Sequence, residues 1–436
     1  MRVLSRDLDQ HIGKTVAISG WLHKRRDLGG IMFLVVRDRG GVIQVVVKDP
    51  DEQKKLEGLY AGTVVQMTGK IVSEPRAAGG VEMHSPEISV MMPISEVAPI
   101  EYDKPIDHTP ENQDTLFDNR VYNLRNPDEQ KIFRIRASLV RYIREFLTDQ
   151  DFVEIHTPKL LPGATEGGAE VFKTDYFGRE ATLAQSPQFY KQMMVGAFER
   201  VFEIGPAFRA EPSMTTRHVS ESTMLDIEMG FIDSHSDVLD MTQDLVYFAL
   251  TSVYRDHARD LTALGAPELV LKPAFPRYTV AEIHEMYSKA TGEKTMGEKD
   301  LFPAEERWIC DYAAKKLGCE AVFATNFPIE NMKFYHMIDP KDPKTVLWAD
   351  LLFRGVEIAT VPQREHHHDK LVAQMKAAGL DPAAPGFRYF LEAFKAGLPP
   401  HGGFGFGLDR FVQKTIGLQS VKEAILFPRD MKRLTP

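Results

Sequence analysis

Hydrophobic and polar positions alternate over the first hundred residues, in short runs separated by turn signals. The loosely alternating residues 14–22 lead into KRRDLGG, which is typical of a turn, and then into IMFLVVRD and VIQVVVKD on either side of RGG. TVVQMTGKIV and HSPEISVMM complete five predicted strands, and DEQKKLEGLY predicts an inserted helix. Five short strands in about 100 residues are typical of a small Greek-key barrel such as the OB-fold. We therefore expect an N-terminal barrel at residues 1–103.

The pattern changes after this point. Residues 104–130 are rich in proline and charge and poor in apolar periodicity, which predicts a linker or hinge. Residues 127–150 predict an amphipathic helix, because apolar residues recur there at helical spacing. The runs RVFEIGPAFRAE and STMLDIEMGFID favour an antiparallel strand pair over regular βαβ units. The predicted fold class is α+β, with an antiparallel-sheet domain at residues 131–436 after the barrel.

Composition narrows the class of protein. The 436 residues are 43% apolar and 26% charged, as in an ordinary globular protein, and no apolar run is long enough for a membrane helix. The first ten residues lack the apolar core of a signal peptide, so we expect a cytoplasmic protein without membrane contact. Cys310 and Cys319 lack the spacing of a disulfide framework or zinc site, and we interpret them as small buried hydrophobes.

Charge is distributed unevenly along the chain. The net charge is −9, yet residues 1–50 hold nine Lys or Arg against five Asp or Glu, a balance of +4 that leaves −13 for the rest. A local basic face on an acidic protein suits selective contact with a nucleic acid.

Polar residues in the large domain suggest chemistry. Arg209 and Glu211 alternate in a strand-like run and would share one face; a solvated hairpin is the alternative, but it fits poorly after the apolar run VFEIGPAF. Asp350 and Glu357 lie in a strand-like apolar setting. Two such carboxylates either hold Mg²⁺ through oxygen ligands or form an ordinary strand-edge pair.

Glycines mark the segment GGFGFGLDR at residues 402–410. Glycines at alternate positions leave one strand face without side chains, so a flat ring such as adenine can lie on the backbone. Arg410 beyond them can stack on that ring or pair with a phosphate. The spacing differs from the dinucleotide and P-loop fingerprints.

Together with FVEIHTPK at residues 152–159, these segments resemble motifs 1, 2 and 3 and the metal-binding strand of the class II aminoacyl-tRNA synthetases. ATEGG at 164–168 and QSPQFYKQ at 185–192 resemble the mobile loop and amino-acid-binding helix of the aspartyl enzymes. GVEI at 355–358, PPHGG at 399–403 and LFPRD at 426–430 are similar to their archaeal and eukaryal type. The resemblance covers nearly the whole chain. It implies a class II catalytic domain that activates aspartate with ATP and loads it onto tRNA.

The resemblance also implies a role for each matching residue. Catalysis would involve Arg209 and Arg410. The implied aspartate-binding set is Glu166, Gln188, Lys191, Arg209, Thr360 and Arg364. The implied set for ATP, a substrate, is Arg209, Glu211, Arg217, His218, Glu357, Gly407, Asp409 and Arg410. Mg²⁺ would be held by Asp350, Glu357 and Thr360. The chemistry agrees, because aspartate carries two carboxylates and needs two fixed cations, for which Lys191 and Arg364 are the candidates.

The implied anticodon contacts lie in the barrel, at His23, Phe33, Gln44, Ala78 and Glu87. OB-folds bind single strands by stacking and edge contacts, although core packing is the alternative for a lone aromatic such as Phe33. His23 matches the branch that charges both tRNA-Asp and tRNA-Asn, whereas Ala78 matches neither branch. We therefore expect relaxed tRNA selection, with a tRNA-dependent amidotransferase converting the second product. The resemblance also implies a homodimer formed through motif 1.

Two departures from the family keep other functions open. Val361-Pro362 stands where the family usually has two glycines, which brings the placement of Arg364 into question, and Asp409 replaces a more usual glutamate. One alternative is an asparaginyl or lysyl relative, which Lys191 opposes. The other is a catalytically silent tRNA-binding or regulatory paralogue, which the intact Arg209, Glu357 and Arg410 oppose.

Overall fold

The computed structural model describes residues 2–106, 108–163, 170–212 and 218–436, except for the side chains at positions 78, 110 and 111. Contacts within the chain divide it into two compact units, Met1–Gln130 and Lys131–Pro436. Among the described helices, none combines the length and the apolar character that crossing a bilayer requires.

The first unit contains a closed five-stranded barrel with the strand order β1-β2-β3-β5-β4. Its strands are β1 Thr15–Leu28, β2 Ile31–Asp38, β3 Gly41–Val47, β4 Val64–Ser73 and β5 Val81–Met92, and helix α1 spans Pro50–Lys54. Alternate residues of the strands point inward and form the barrel core, among them Leu34, Val36, Ile43, Val45 and Met67. The predicted barrel is confirmed.

The structure corrects the predicted turn after the first strand. KRRDL continues β1 and pairs with β2, from Lys24 opposite Val35 to Leu28 opposite Ile31. The reversal is made by Gly29 and Gly30, whose φ angles are +54° and +86°, a conformation that glycine adopts without a Cβ clash. The charged run therefore forms the end of β1, where residues on both faces of the strand are half-exposed or exposed.

The segment interpreted as a linker contains two short helices, α2 Pro110–Asp118 and α3 Arg120–Asn123. Arg120 is buried and donates from Nη1 to Glu129 Oε2 at 3.1 Å. Part of the charge that suggested a solvated linker is thus a buried ion pair, which a composition-based prediction does not detect.

The second unit is built on an eight-stranded sheet with the order β12-β13-β14-β15-β16-β11-β10-β6 and a separate three-stranded sheet, β7-β9-β8. The strands are β6 Val153–Glu154, β7 Leu160–Leu161, β8 Lys173–Tyr176, β9 Arg179–Leu183, β10 Arg200–Phe208, β11 Glu221–Gly230, β12 Arg277–Thr279, β13 Ala321–Thr325, β14 Trp348–Phe353, β15 Val356–Pro362 and β16 His401–Gly407. The helices are α4 Pro127–Asp149, α5 Gln188–Phe198, α6 His235–Asp256, α7 Ala258–Ala263, α8 Val280–Thr291, α9 Pro303–Tyr312, α10 His368–Ala377, α11 Arg388–Lys395 and α12 Leu408–Ile416.

The large sheet is antiparallel except at its two ends, where β6 pairs parallel with β10 and β12 pairs parallel with β13. The predicted pairing of β10 with β11 is confirmed, and it runs in continuous register from Arg200 opposite Met229 to Phe208 opposite Glu221. The main core packs α4 and α6 against this sheet. Both cysteines are buried and free, as predicted.

Candidate active site

A cavity of about 310 Å³ lies above the central strands of the large sheet. Most of the described residues implied in substrate binding line it, from three parts of the second unit: α5, the neighbourhood of β10 and β11, and the run from β15 to the start of α12. Those residues are Gln188, Lys191, Arg209, His218, Glu357, Thr360, Arg364, Gly407, Asp409 and Arg410. Glu211 is described but is not one of the lining residues. Glu166 and Arg217 lie outside the described residues.

One end of the cavity holds two buried cations, each paired with an acid on β11. Lys191 Nζ donates to Asp226 Oδ1 at 2.9 Å and to Phe404 O at 3.1 Å. Arg364 donates from Nε and Nη2 to the two oxygens of Glu228, at 2.9 and 3.1 Å. The acids are two residues apart on one strand, so their side chains share the face that meets the cations.

Electrostatics favour the charged form of Glu228 in this cluster. Burial alone would raise the pKa of Glu228, but Arg364 and Lys191 together hold it below the ordinary value. A further bond from Arg364 Nη2 to Gln188 Oε1 at 3.3 Å ties α5 into the cluster. The implied aspartate-binding residues Gln188, Lys191 and Arg364 are thus brought together. Asp226 and Glu228, to which the sequence analysis assigned no role, fix their orientation.

His401 lies next to this cluster as a neutral ring. Its Nδ1 lies 2.8 Å from Pro399 O, and its Nε2 lies 3.0 Å from Nε2 of Gln192. A carbonyl only accepts, so Nδ1 carries the proton and Nε2 accepts from the Gln192 amide. Burial lowers the pKa of His401, in agreement with a neutral ring.

The glycines of β16 serve two different purposes. A Cβ at Gly403 would lie 2.0 Å from Ile227 O, so this glycine is required by the close approach of β11. At Gly405 and Gly407 the nearest atoms would be 3.7 Å away, an ordinary contact. Both of these glycines line the cavity, where the missing side chains leave backbone open to a flat ligand.

Arg209 follows β10 and lines the cavity, with its backbone N–H bonded to Ser220 O at 2.9 Å. Within the described part of the chain, no carboxylate forms an ion pair with its guanidinium. Such a group can receive a phosphate or carboxylate from a ligand, and guanidinium geometry suits a bidentate contact.

The implied metal ligands lie on two adjacent strands. Asp350 on β14 is opposite Thr360 on β15, and Thr360 Oγ1 donates to Glu357 Oε1 at 2.8 Å. Burial, and next the charge of Glu357, raise the pKa of Asp350 well above its ordinary value. Two acids that disfavour each other's charge, with only oxygen ligands nearby, fit a divalent cation such as Mg²⁺. Trp348 Nε1 also donates to Asp350 Oδ1 at 2.8 Å, a contact that the sequence analysis did not predict.

The start of α12 is fixed by a charge pair behind the cavity. Asp409 accepts from Arg136 on α4 and from the Thr223 backbone N–H, the latter at 2.8 Å. Arg136 also donates to Ala424 O at 2.9 Å. Asp409 therefore holds the helix start in place through Arg136, and Arg410, the next residue, reaches Glu357 O with Nη1 at 3.2 Å.

With Val361 and Pro362 at the positions of the usual glycines, Arg364 lines the cavity and pairs with Glu228. Both residues continue β15, with Pro362 opposite Trp348. His235 Nε2 bonds to Val361 O at 2.7 Å, and Arg364 N donates to His401 O at 2.9 Å. The strand simply extends through the position of the usual glycines.

In the barrel, Phe33 and Gln44 lie on the same outward face, at positions bridged by the pairs Phe33–Val46 and Val35–Gln44. Gln44 Nε2 donates to Glu82 on the neighbouring strand, and Glu82 Oε2 lies 3.0 Å from His84 Nε2. Glu82 was missed by sequence reasoning, because its position beside Gln44 depends on the parallel pairing of β3 with β5. The alternation in VEMH, with Glu82 and His84 on one face, was the available signal.

The other implied anticodon residues are placed differently. Glu87 is exposed and follows Ser85, whose φ of +49° marks an irregular point in β5. His23 is 7% exposed at a bulge of β1 and packs on the Tyr102 ring at a centroid distance of 5.9 Å. The side chain of Ala78 lies outside the described residues. The structure thus brings Phe33 and Gln44 together, with Glu82 beside Gln44.

Comparison with known proteins follows this division. Residues 112–431 match the family "tRNA synthetases class II (D, K and N)", and residues 16–91 match "OB-fold nucleic acid binding domain". The chain is 40% identical to the aspartate–tRNA(Asp/Asn) ligase of Thermus thermophilus over the full length of both proteins. It is 40% identical to the aspartate–tRNA(Asp) ligase of Pyrococcus abyssi, with 97% of each chain covered.

Among solved structures, asparaginyl-tRNA synthetase from Pyrococcus horikoshii complexed with asparaginyl-adenylate matches with a TM-score of 0.90 and 30% identity, covering all of both chains. The fold is therefore shared by relatives that differ in both amino acid and tRNA.

Proposed function

Because the chain belongs to the class II tRNA synthetases of the D, K and N group, we propose that it activates L-aspartate with ATP and transfers the aspartyl group to tRNA-Asp and also to tRNA-Asn. The observation that carries the choice of aspartate is the pair of buried cations, Lys191 and Arg364, at one end of the cavity. Relatives at about 40% identity over the full length carry the corresponding names.

Counting donors shows how the cations can serve a substrate. Lysine has three N–H donors and arginine five. Lys191 uses two donors, on Asp226 and Phe404. Arg364 uses three, two on Glu228 and one on Gln188. Within the described residues, one N–H donor of Lys191 and two of Arg364 therefore remain for a ligand. A carboxylate accepts all of them, whereas the amide nitrogen of asparagine accepts none, which favours aspartate.

In the first step, an oxygen of the aspartate α-carboxylate attacks the α-phosphorus of ATP. A new O–P bond forms and the bond to pyrophosphate breaks. Arg209, which lines the cavity, would contact both reacting groups and stabilise charge in the transition state. The adenine would lie on the bare backbone at Gly405 and Gly407, with Arg410 beside it.

Asp350, Glu357 and Thr360 would hold Mg²⁺, which when bound offsets the charge of the phosphates and assists the departure of pyrophosphate. A hydroxyl of the terminal ribose of tRNA then attacks the aspartyl carbonyl, and AMP leaves. Neither step requires a covalent enzyme intermediate.

The amino acid is tested by pyrophosphate exchange with each of the twenty amino acids, with and without Mg²⁺. We expect exchange to be driven by aspartate and to require the metal. Equal or faster exchange with asparagine or lysine would assign the chain to one of the sister specificities. Exchange with no amino acid, by a protein that still binds tRNA, would assign it to a silent paralogue.

The choice of tRNA depends on the last anticodon base, since G-U-C and G-U-U differ only there. His23 and Ala78 lack the residue types of the discriminating branch, and His23 is buried. Charging of purified tRNA-Asp and tRNA-Asn transcripts should give comparable kcat/KM values. A hundredfold preference for tRNA-Asp, about 2.7 kcal/mol, would contradict the proposal. Aspartyl-tRNA-Asn would mispair amino acid and codon, so its production calls for an amidotransferase that converts aspartyl to asparaginyl.

We propose a cytoplasmic homodimer that pairs through the region of α4 and β7. Leu160 on β7 is 48% exposed, and Phe177 on the β8–β9 turn is 88% exposed. Motif 1 forms the subunit interface in the family, exposed apolar surface is what an interface covers, and two-fold pairing is the commonest oligomer. Light scattering at micromolar concentration should give twice the chain mass, and a monomeric mass would refute the dimer.

A further inference from the structure

Trp348 is held beside the implied metal ligand Asp350. The two residues are separated by one position on β14, so their side chains leave the same face of the strand. The indole Nε1–H donates to Asp350 Oδ1 at 2.8 Å, and Asp350 is 8% exposed. An indole has this one donor and no acceptor, so the contact has only one possible direction.

The indole ring is itself immobilised. Phe327 stacks on it with a centroid distance of 4.2 Å and an interplanar angle of 13°. His336 lies near it at 5.5 Å, and both Phe327 and His336 are buried. A ring packed in this way cannot turn without separating a stacked pair, so its N–H keeps one direction.

The neighbouring acid is treated in the same way. Thr360 Oγ1 donates to Glu357 Oε1 at 2.8 Å, and Oε2 of the same carboxylate lies 3.7 Å from Arg410 Nη1. Each of the two implied carboxylate ligands therefore has one oxygen held by a neutral donor on its own strand. Ligating carboxylates that are hydrogen-bonded in this manner are typical of metal sites, where the donor fixes the orientation of the ligand.

We propose that Trp348 is a positioning residue for the divalent cation: its indole N–H holds Asp350 Oδ1 and so turns Oδ2 toward the metal. An indole has no acceptor atom for a metal, so Trp348 would act only through Asp350; its side chain lines the cavity together with Glu357 and Thr360. The inference rests on the proposed function only in taking the cation to be the one that accompanies ATP.

The test removes the N–H and keeps the ring. Trp348→Phe retains an aromatic side chain against Phe327, and 3-benzothienylalanine at position 348 retains the bicyclic shape with sulfur in place of N–H. Mn²⁺ binding to the full-length protein, with a non-hydrolysable ATP analogue, is followed by the relaxation rate of water protons. We expect both variants to bind Mn²⁺ about 10–100-fold more weakly, as for other donors to metal ligands.

Trp308→Phe is the matched control. Trp308 lies in the same unit, stacks on Tyr312 at 5.4 Å, and is not one of the residues that line the cavity. It should leave Mn²⁺ affinity unchanged. If the benzothienyl variant binds Mn²⁺ within about twofold of the unmodified protein, Trp348 only supports packing and the proposal is overturned. The Mn²⁺ measurement uses neither amino acid nor tRNA. A negative result for Trp348 would therefore not bear on the choice of aspartate or tRNA, and a negative result for aspartate or tRNA would not bear on the role of Trp348.

Discussion

Replacing Lys191 by Met should remove aspartate activation and at the same time destabilise the second unit. Lys191 is 1% exposed, and its Nζ compensates Asp226 at 2.9 Å. Glu228 retains Arg364 as a partner, so the group left without a cation is Asp226. Removing one member of a buried ion pair costs about 3–5 kcal/mol, because the remaining charge is desolvated and unpaired.

The double variant Lys191→Met with Asp226→Leu separates the two effects. Replacing both members of a buried pair by apolar residues is often neutral for stability. We therefore expect it to regain most of the free energy of unfolding that Lys191→Met loses. Aspartate-dependent exchange should stay absent in both variants, since neither has the ammonium group for the substrate carboxylate.

Urea unfolding can be followed by tryptophan fluorescence in a Trp21→Phe background. The chain has three tryptophans, and the remaining two, Trp308 and Trp348, both report on the second unit. If Lys191→Met unfolds within about 0.5 kcal/mol of the parent, the buried pair does not have the cost assigned to it. If the double variant still uses aspartate with an unchanged KM, Lys191 does not bind the substrate.

Three further outcomes are expected. Burial lowers the pKa of His235 to about 4, so the folded state resists protonation. The free energy of unfolding should therefore fall by up to about 3 kcal/mol as the pH drops from 6.5 toward 4. The variant His235→Gln can still donate to Val361 O and should lose this contribution in urea titrations across that pH range. Arg136→Met should raise KM for ATP more than KM for aspartate in the exchange assay, because Asp409 loses its cation and the start of α12 its anchor; equal changes in both would contradict this role. Glu82→Gln should weaken tRNA charging while amino acid activation is unchanged, and unchanged charging would remove Glu82 from the tRNA surface.

The barrel and the order of the two domains follow from the sequence because alternation and turn residues are local signals. The end of β1 was mispredicted because KRRDL is charged, and a strand with one solvated face tolerates charge when its partner strand supplies the pairing. In the same way, Arg120 lies in a segment whose charge suggested a linker, and only its partner Glu129 shows that it is buried. A charged residue can be predicted to be exposed only when the fold offers it no oppositely charged partner.

The candidate site divides along the same line. The cations Lys191, Arg364 and Arg209 could be assigned from motifs, because each motif is a short run of residues. Their partners could not, since α5 brings Lys191 to Asp226 by packing on β11, and Arg364 meets Glu228 only because the sheet order places β16 between β15 and β11. Asp409 illustrates the same limit: its motif implies a place in the ATP-binding set and it lines the cavity, but the pairing of its carboxylate with Arg136, 273 positions away in the chain, could not be predicted from the motif.

The paired charges also bear on how an acid is chosen over its amide. Lys191 and Arg364 carry two positive charges, and Asp226 and Glu228 carry two negative charges, so the empty cluster is neutral. A neutral cluster exerts little long-range attraction on a carboxylate, and most of the preference must come from N–H donors held in fixed directions at contact distance. The two acids therefore do more than neutralise the cations: they fix the directions of the N–H donors of Lys191 and Arg364 that remain for the substrate. Selection by aimed donors is short-ranged, and inside a buried cavity it is weakly screened by salt.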